Sequence, residues 1–177
     1  MIGPMSTSVS SSSRAPAGKA KPKEEQDPAV RVLRQFRQVF NAVKTHFQQV
    51  EKTVGLGGAQ VWALSVIREM PDIGTSSLAK AMDIHQSTAS NLVKALVERG
   101  LVSATKGQGD RRAVQLRLLA AGTRLLKRSP GPYAGVLPAA LAALDEKTLK
   151  RLEADLAKLM RELHPDKRAG GTPLAEL

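Results

Sequence analysis

Apolar residues recur along this chain at two different periods, and the change from one period to the other outlines its elements. From Asp27-Pro28 onward, Leu33, Phe36, Phe40, Val43, Phe47, Val50 and Val54 follow at alternating spacings of three and four. That spacing lays a narrow heptad-like stripe along one helix, widened by Val32 and Val39. Asp27 is a suitable N-cap and Pro28 suits the first turn; Gly55 and the Gly57-Gly58 pair end the run. A second helix is predicted over Ala59–Glu69, with Val61, Trp62, Leu64, Val66 and Ile67 mostly inward and Pro71 closing it. The third, about Ser76–Met82, is too short to hold itself and needs the packing of Leu78, Ala79 and Met82. A fourth, about Gln86–Arg99, buries Ala89, Leu92, Val93, Leu96 and Val97, with Gly100 at the C′ position.

The period then shortens. Leu101–Thr105 and Ala113–Leu118 read as two strands around Lys106-Gly107-Gln108-Gly109-Asp110, a hairpin loop with two glycines for positive φ. Short helix, tight turn, longer helix, strand–turn–strand is the order of a winged helix-turn-helix, which sets one helix in a DNA major groove and a hairpin tip beside it. A fifth helix starts near Ala120, breaks at Ser129-Pro130-Gly131-Pro132 and resumes over Tyr133–Leu144. The last, about Asp145–Leu163, repeats Leu149, Leu152, Leu156, Leu159 and Leu163 at spacings of three and four.

The predicted class is therefore mainly α with a small two-stranded β wing. Residues 1–26, rich in Ser, Pro, Ala and Lys, cannot bury enough apolar surface and read as a disordered tail. Residues 27–58 form an N-terminal dimerisation helix, 59–118 the winged helix-turn-helix, 119–163 the C-terminal dimerisation helices, and 164–177 a polar, flexible tail. Two narrow stripes at opposite ends of one small domain are best used against each other and against a second copy, giving a two-fold homodimer. The alternative is that each stripe faces its own core. The dimer is favoured because two linked readers bind DNA far better than one.

Composition changes this picture in three places. No run approaches the roughly 18 apolar residues of a membrane span, and residues 1–26 lack the apolar centre of a signal peptide, so a cytoplasmic protein with no membrane partner is expected. The absence of cysteine excludes disulfides, thiolate metal sites and cysteine redox switches. The net charge of +11 is unevenly placed: residues 74–128 hold ten Lys and Arg against three Asp and Glu, whereas 129–177 hold seven of each. Positive charge is thus densest on the segment that reads as a DNA reader. Catalysis is not expected. His46, His85 and His164 lie on separate elements without an acidic cluster, and Gly55-x-Gly57-Gly58 follows a helix rather than a strand. No cofactor or metal is expected either.

In a helix-turn-helix the exposed N-terminal positions of the second helix meet base edges. Here these are Gln86, Ser87, Thr88, Ser90 and Asn91, with Lys94 one turn on. Gln and Asn can pair bidentately with adenine, Ser and Thr can bond bases or phosphate, and Lys can reach guanine or phosphate. A merely solvated helix shows the same polar face, but the wing shifts the balance. Lys106, Arg111 and Arg112 concentrate charge on a thin element, where arginine suits a narrow minor groove. Asp110 is expected to pair with an arginine there and set its direction.

The string Leu78-Ala79, Ser87-Thr88-Ala89-Ser90, Leu96-Val97-Glu98-Arg99-Gly100-Leu101-Val102, Asp110-Arg111-Arg112 and Leu116-x-Leu118, with Gln60-x-Trp62-x-Leu64 before it, resembles the MarR family of bacterial transcriptional regulators. The resemblance covers about residues 29–163. It implies a triangular homodimer with intertwined terminal helices, a palindromic operator on double-stranded DNA, and Arg112 as the minor-groove arginine, beside Arg111. Repression released by a small aromatic or carboxylate effector is also implied, with a pocket between the first, second and fifth helices. His46, Trp62 and, less strongly, Tyr133 are the pocket candidates, although each is also explained as a structural residue. Two positions depart from the family pattern: Asp83 stands where glycine is frequent in the turn, and His85 where the recognition helix often has an Asp cap. The competing readings are a winged-helix module for protein–protein interaction and a sequence-neutral architectural DNA binder.

Overall fold

The structure, a computed structural model, describes residues 27–106, 114–166 and 170–176. Helix α1, Pro28–Val54, starts where its cap was expected: the Ala29 N–H donates to Asp27 Oδ1 at 2.8 Å. The described chain divides within α1, into a unit ending at Phe36 and a second running from Arg37 onward. In the second unit follow α2 (Gly58–Glu69), α3 (Thr75–Ala81), α4 (Gln86–Glu98), β1 (Val102–Lys106), β2 (Val114–Leu118), α5 (Ala120–Arg128), α6 (Val136–Ala142) and α7 (Glu146–Leu163). The strands pair antiparallel from Val102 opposite Leu118 to Lys106 opposite Val114. Among the described residues no helix is long and apolar enough to cross a membrane.

The core is built around α2, whose Val61, Ala63, Leu64, Val66 and Ile67 are all buried. Leu64, Leu78, Leu96, Leu116 and Leu126 have no exposed surface, and they come from α2, α3, α4, β2 and α5 respectively. Burying each is worth roughly 1.5–3 kcal/mol, which is how a seven-residue α3 persists without intrinsic helix stability. Ser65, buried among them, donates its hydroxyl to the Trp62 carbonyl at 2.7 Å.

Glycine ends α4 and admits α5. Gly100 has φ +65°, the left-handed C′ conformation. Gly122 lets α5 approach the start of the sheet, because a Cβ on it would lie 2.4 Å from the Leu101 carbonyl oxygen. Gly122→Ala is therefore expected to destabilise the fold. The better helix propensity of Ala gains about 0.8–1 kcal/mol, but over-packing against backbone costs about 1–3 kcal/mol. A lower urea midpoint would show that the clash wins; an equal or higher midpoint would refute the close approach.

Three expectations are corrected. Val97 is 38% exposed rather than buried, because Leu92, Val93 and Leu96 already span the inward arc of α4 and the next position turns away. The helix expected over Tyr133–Leu144 shrinks to α6, since Tyr133 and Ala134 form a turn and Gly135 has φ +103°. The tail from His164 is not loose throughout: Leu174–Glu176 form a 3-10 turn, Pro173 is buried and Ala175 packs against the core. The hydrophobic effect explains that return, since Pro173, Leu174 and Ala175 are three consecutive apolar residues.

Candidate nucleic-acid interface

Helices α3 and α4 are joined by a tight turn that runs through Met82, Asp83, Ile84 and His85. Asp83 takes φ +51°, a left-handed conformation that Asp tolerates, so the turn forms without glycine. The Ile84 N–H donates to the Ala79 carbonyl at 3.0 Å and closes it. His85 occupies the N-cap with extended φ and ψ but makes no side-chain cap bond. The helix nonetheless starts at Gln86, with the Ala89 N–H donating to the His85 carbonyl at 3.0 Å. Packing thus supplies what the weak cap does not.

The face of α4 is sorted cleanly. Ala89, Leu92, Val93 and Leu96 are buried, whereas Gln86, Ser87, Ser90, Asn91 and Lys94 are exposed and Thr88 is half-buried. The structure therefore brings all the candidate recognition residues onto one helix, five of them facing solvent. Their chemistry is not equal. The Ser90 hydroxyl donates to the Gln86 carbonyl at 2.8 Å, which leaves Ser90 mainly as an acceptor. Lys94 Nζ lies 3.9 Å from Glu98 Oε1 with both side chains well exposed. Such a pair is worth little, so the ammonium can turn to a phosphate.

The sheet beside α4 is braced from the α2–α3 connection. Ile73 bridges Leu116, and the Asp72 N–H donates to the Leu116 carbonyl at 3.0 Å. Asp72, at φ +66°, also takes a two-pronged ion pair from Arg117, with Nη2 to Oδ2 at 2.7 Å. Bonding to Arg117 holds the Asp72 carboxyl below its usual pKa, and the same bond raises that of the guanidinium. Sequence reasoning missed this pair; only the strand register brings Arg117 beside a turn residue so distant in sequence. Lys106 ends β1 opposite Val114. Arg111, Arg112 and Asp110 lie outside the described residues.

The three pocket candidates separate. Trp62 lines a crevice with Phe47, Gly58, Ala59, Met82 and Ile84. His46 does not line it; its Nε2 is 3.1 Å from the Pro132 carbonyl. Tyr133 packs against the core, donates its hydroxyl to the Leu126 carbonyl at 3.3 Å and carries the Arg68 guanidinium over its ring at 5.3 Å. His46 and Tyr133 thus tie down the segment after α5. Phe47, read in the sequence only as part of the stripe, is the aromatic residue that meets Trp62 across the crevice.

Comparison with known proteins agrees with this geometry. Residues 59–114 match the model of the MarR family. An HTH-type transcriptional regulator Hpr from Lysinibacillus sphaericus is 30% identical over 119 residues, which span 65% of this chain and 64% of that protein, under two thirds of its length. Among solved structures, a MepR-like protein complexed with pseudoligands matches 75% of this chain and 91% of its own, with a TM-score of 0.53 and 18% identity. S. aureus MepR in a DNA complex matches 78% and 98%, with a TM-score of 0.52 and 18% identity. At that identity these two establish the fold. The segment 59–114 is thus similar to the MarR family, and the fold around it is a winged helix-turn-helix.

Proposed function

We propose that this protein is a sequence-specific DNA-binding transcriptional regulator, a repressor that grips a palindromic operator as a homodimer and is released by a small aromatic or carboxylate effector. The observation that carries the reading is α4, with an apolar face locked into the core and Gln86, Ser87, Ser90, Asn91 and Lys94 turned outward. In this reading Gln86 and Asn91 read base edges, Ser87, Thr88, Ser90 and Lys94 meet bases or phosphate, and Lys106, Arg111 and Arg112 attach the wing to the neighbouring groove. Asp110 orients one of those arginines.

Dimerisation is supported by apolar surface left uncovered in one copy. On α7 no residue is buried, and Leu152, Leu159, Met160 and Leu163 are 36%, 38%, 50% and 67% exposed. On α1, Leu33 and Phe40 are 49% and 60% exposed. A second copy covering these residues sets two α4 helices against successive major grooves, roughly 34 Å apart. An effector binding the crevice beside Trp62 would favour a different spacing and so lower DNA affinity.

The test is a salt-dependent mobility shift on the DNA flanking its own gene. A steep salt slope and preference for one palindrome support the regulator. Equal binding to all sequences points to an architectural binder, and no binding at low salt to a protein-interaction module. Arg112→Ala is expected to weaken binding to every sequence and to lower the salt slope by about one unit; an unchanged slope would remove the wing from the interface.

A further inference from the structure

The crevice beside Trp62 is already occupied by the chain itself. Two cavities, of about 180 and 480 Å³, share Phe47, Gly58, Leu174 and Ala175 as a common wall. The smaller reaches Trp62, Met82 and Ile84, and the larger reaches Phe40, Val43 and Lys44. Residues 174 and 175 form part of the wall between them, and the Phe47 ring set against Gly58 completes it. The larger cavity already falls in the size range of small-molecule sites, roughly 300–1,000 Å³.

The segment is seated at three points. The Gly171 carbonyl accepts the His85 N–H at 3.2 Å. Pro173 is buried and bounds the smaller cavity. Ala175 lies against α2, where a Cβ on Gly58 would come within 3.0 Å of its own Cβ. The first of these points is the N-cap of α4, so the same short strap touches both the crevice and the head of the helix that carries Gln86 and Asn91. Its hold is modest in energy. Ordering each backbone residue costs conformational entropy, and only Pro173, Leu174 and Ala175 bring apolar surface to offset that cost. Leu174 keeps 36% of its surface exposed. A strap held so weakly is displaceable.

We propose that residues 170–175 are an internal occupant of this crevice, competing with a small apolar anion for the space between Phe47 and Trp62. Entry of such a ligand expels Leu174 and Ala175, and with them the Gly171–His85 hydrogen bond at the head of α4. Lys44, on the wall of the larger cavity, supplies the positive charge; Glu51 on the same wall limits how close an anion settles. The inference deepens the effector reading above and rests on it, but not on the DNA reading.

Trp62 is the sole tryptophan, so its emission reports on the crevice alone. The experiment compares the full chain with its Leu174→Asp and Ala175→Glu variants, by acrylamide quenching of Trp62 and by energy transfer from Trp62 to anilinonaphthalene sulfonate. Both variants are expected to show red-shifted, more readily quenched emission, reversed by adding the peptide Gly-Gly-Thr-Pro-Leu-Ala. The sulfonate is expected to bind them about tenfold more tightly, the factor for a strap seated in about nine molecules of ten. Unchanged emission and quenching in both variants overturn the proposal. Equal sulfonate affinity for all three chains also overturns it while leaving the effector reading intact. Sulfonate binding to none of them defeats the effector reading and the competition together.

Discussion

Leu159→Glu on α7 is expected to yield a folded monomer that no longer holds operator DNA. Leu159 is 38% exposed in one copy and lies on the stripe Leu152, Leu156, Leu159, Leu163, none of which is buried. Glutamate is a good helix former, and Asp145 still caps α7 by accepting the Thr148 N–H at 2.9 Å, so the helix itself is not the casualty. What changes is the cost of burying the stripe against a partner, because a carboxylate placed there must be desolvated without a counter-charge. In the proposed dimer, losing the partner removes the second α4 from the duplex. Linking two readers raises affinity by about 10²–10⁴-fold, and a loss of that order is the expected result in a mobility shift, alongside a halved mass in sedimentation and an unchanged helical circular dichroism spectrum. A variant that stays dimeric with undiminished DNA affinity would remove α7 from the interface.

Asn91→Ala and Gln86→Ala make the second strong expectation, and it concerns preference rather than strength alone. Both side chains are exposed on α4. Each bidentate base contact is worth roughly 1–3 kcal/mol of discrimination, or about 5–150-fold between the favoured base and its competitor. Selection of binding sites from random DNA should therefore return a relaxed base at one position per half-site for each variant. Lys94→Ala should instead weaken all sequences alike. Ser90→Ala should have a smaller effect than either amide, since the Ser90 hydroxyl already donates to the Gln86 carbonyl. If Gln86→Ala and Asn91→Ala select the same sites as the parent, α4 is not the reading helix.

Much of this was legible along the chain, and the reasons are local. The stripe from Leu33 to Val54 and the Asp27 cap delimit α1 nearly to the residue. Asp tolerates the left-handed turn by its own chemistry, and Asp83 takes it. Gly100 follows the last apolar position of α4 as a C′ glycine does, and its φ is positive. The inward set Ala89, Leu92, Val93 and Leu96 follows from a period of 3.6, which also turns Gln86, Ser90 and Asn91 outward. What was not legible depended on distance along the chain: the Arg117–Asp72 pair and the seated residues 170–176 each rest on a neighbour far away in sequence. His46 and Tyr133 belong to the same part of the fold as Trp62, yet both side chains bond to backbone carbonyls, of Pro132 and Leu126.

The order of helices and strands, the polar edge of α4 and the excess of positive charge over residues 74–128 were written in the sequence itself, because periodicity, capping and charge act between residues a few positions apart. Which apolar residues became core and which stayed as bare stripe was decided only in three dimensions. So were the bracing of the sheet by Asp72 and the return of Pro173 and Leu174 to the crevice beside Trp62. Burial is a property of packed neighbours, and a chain read in one dimension does not name them.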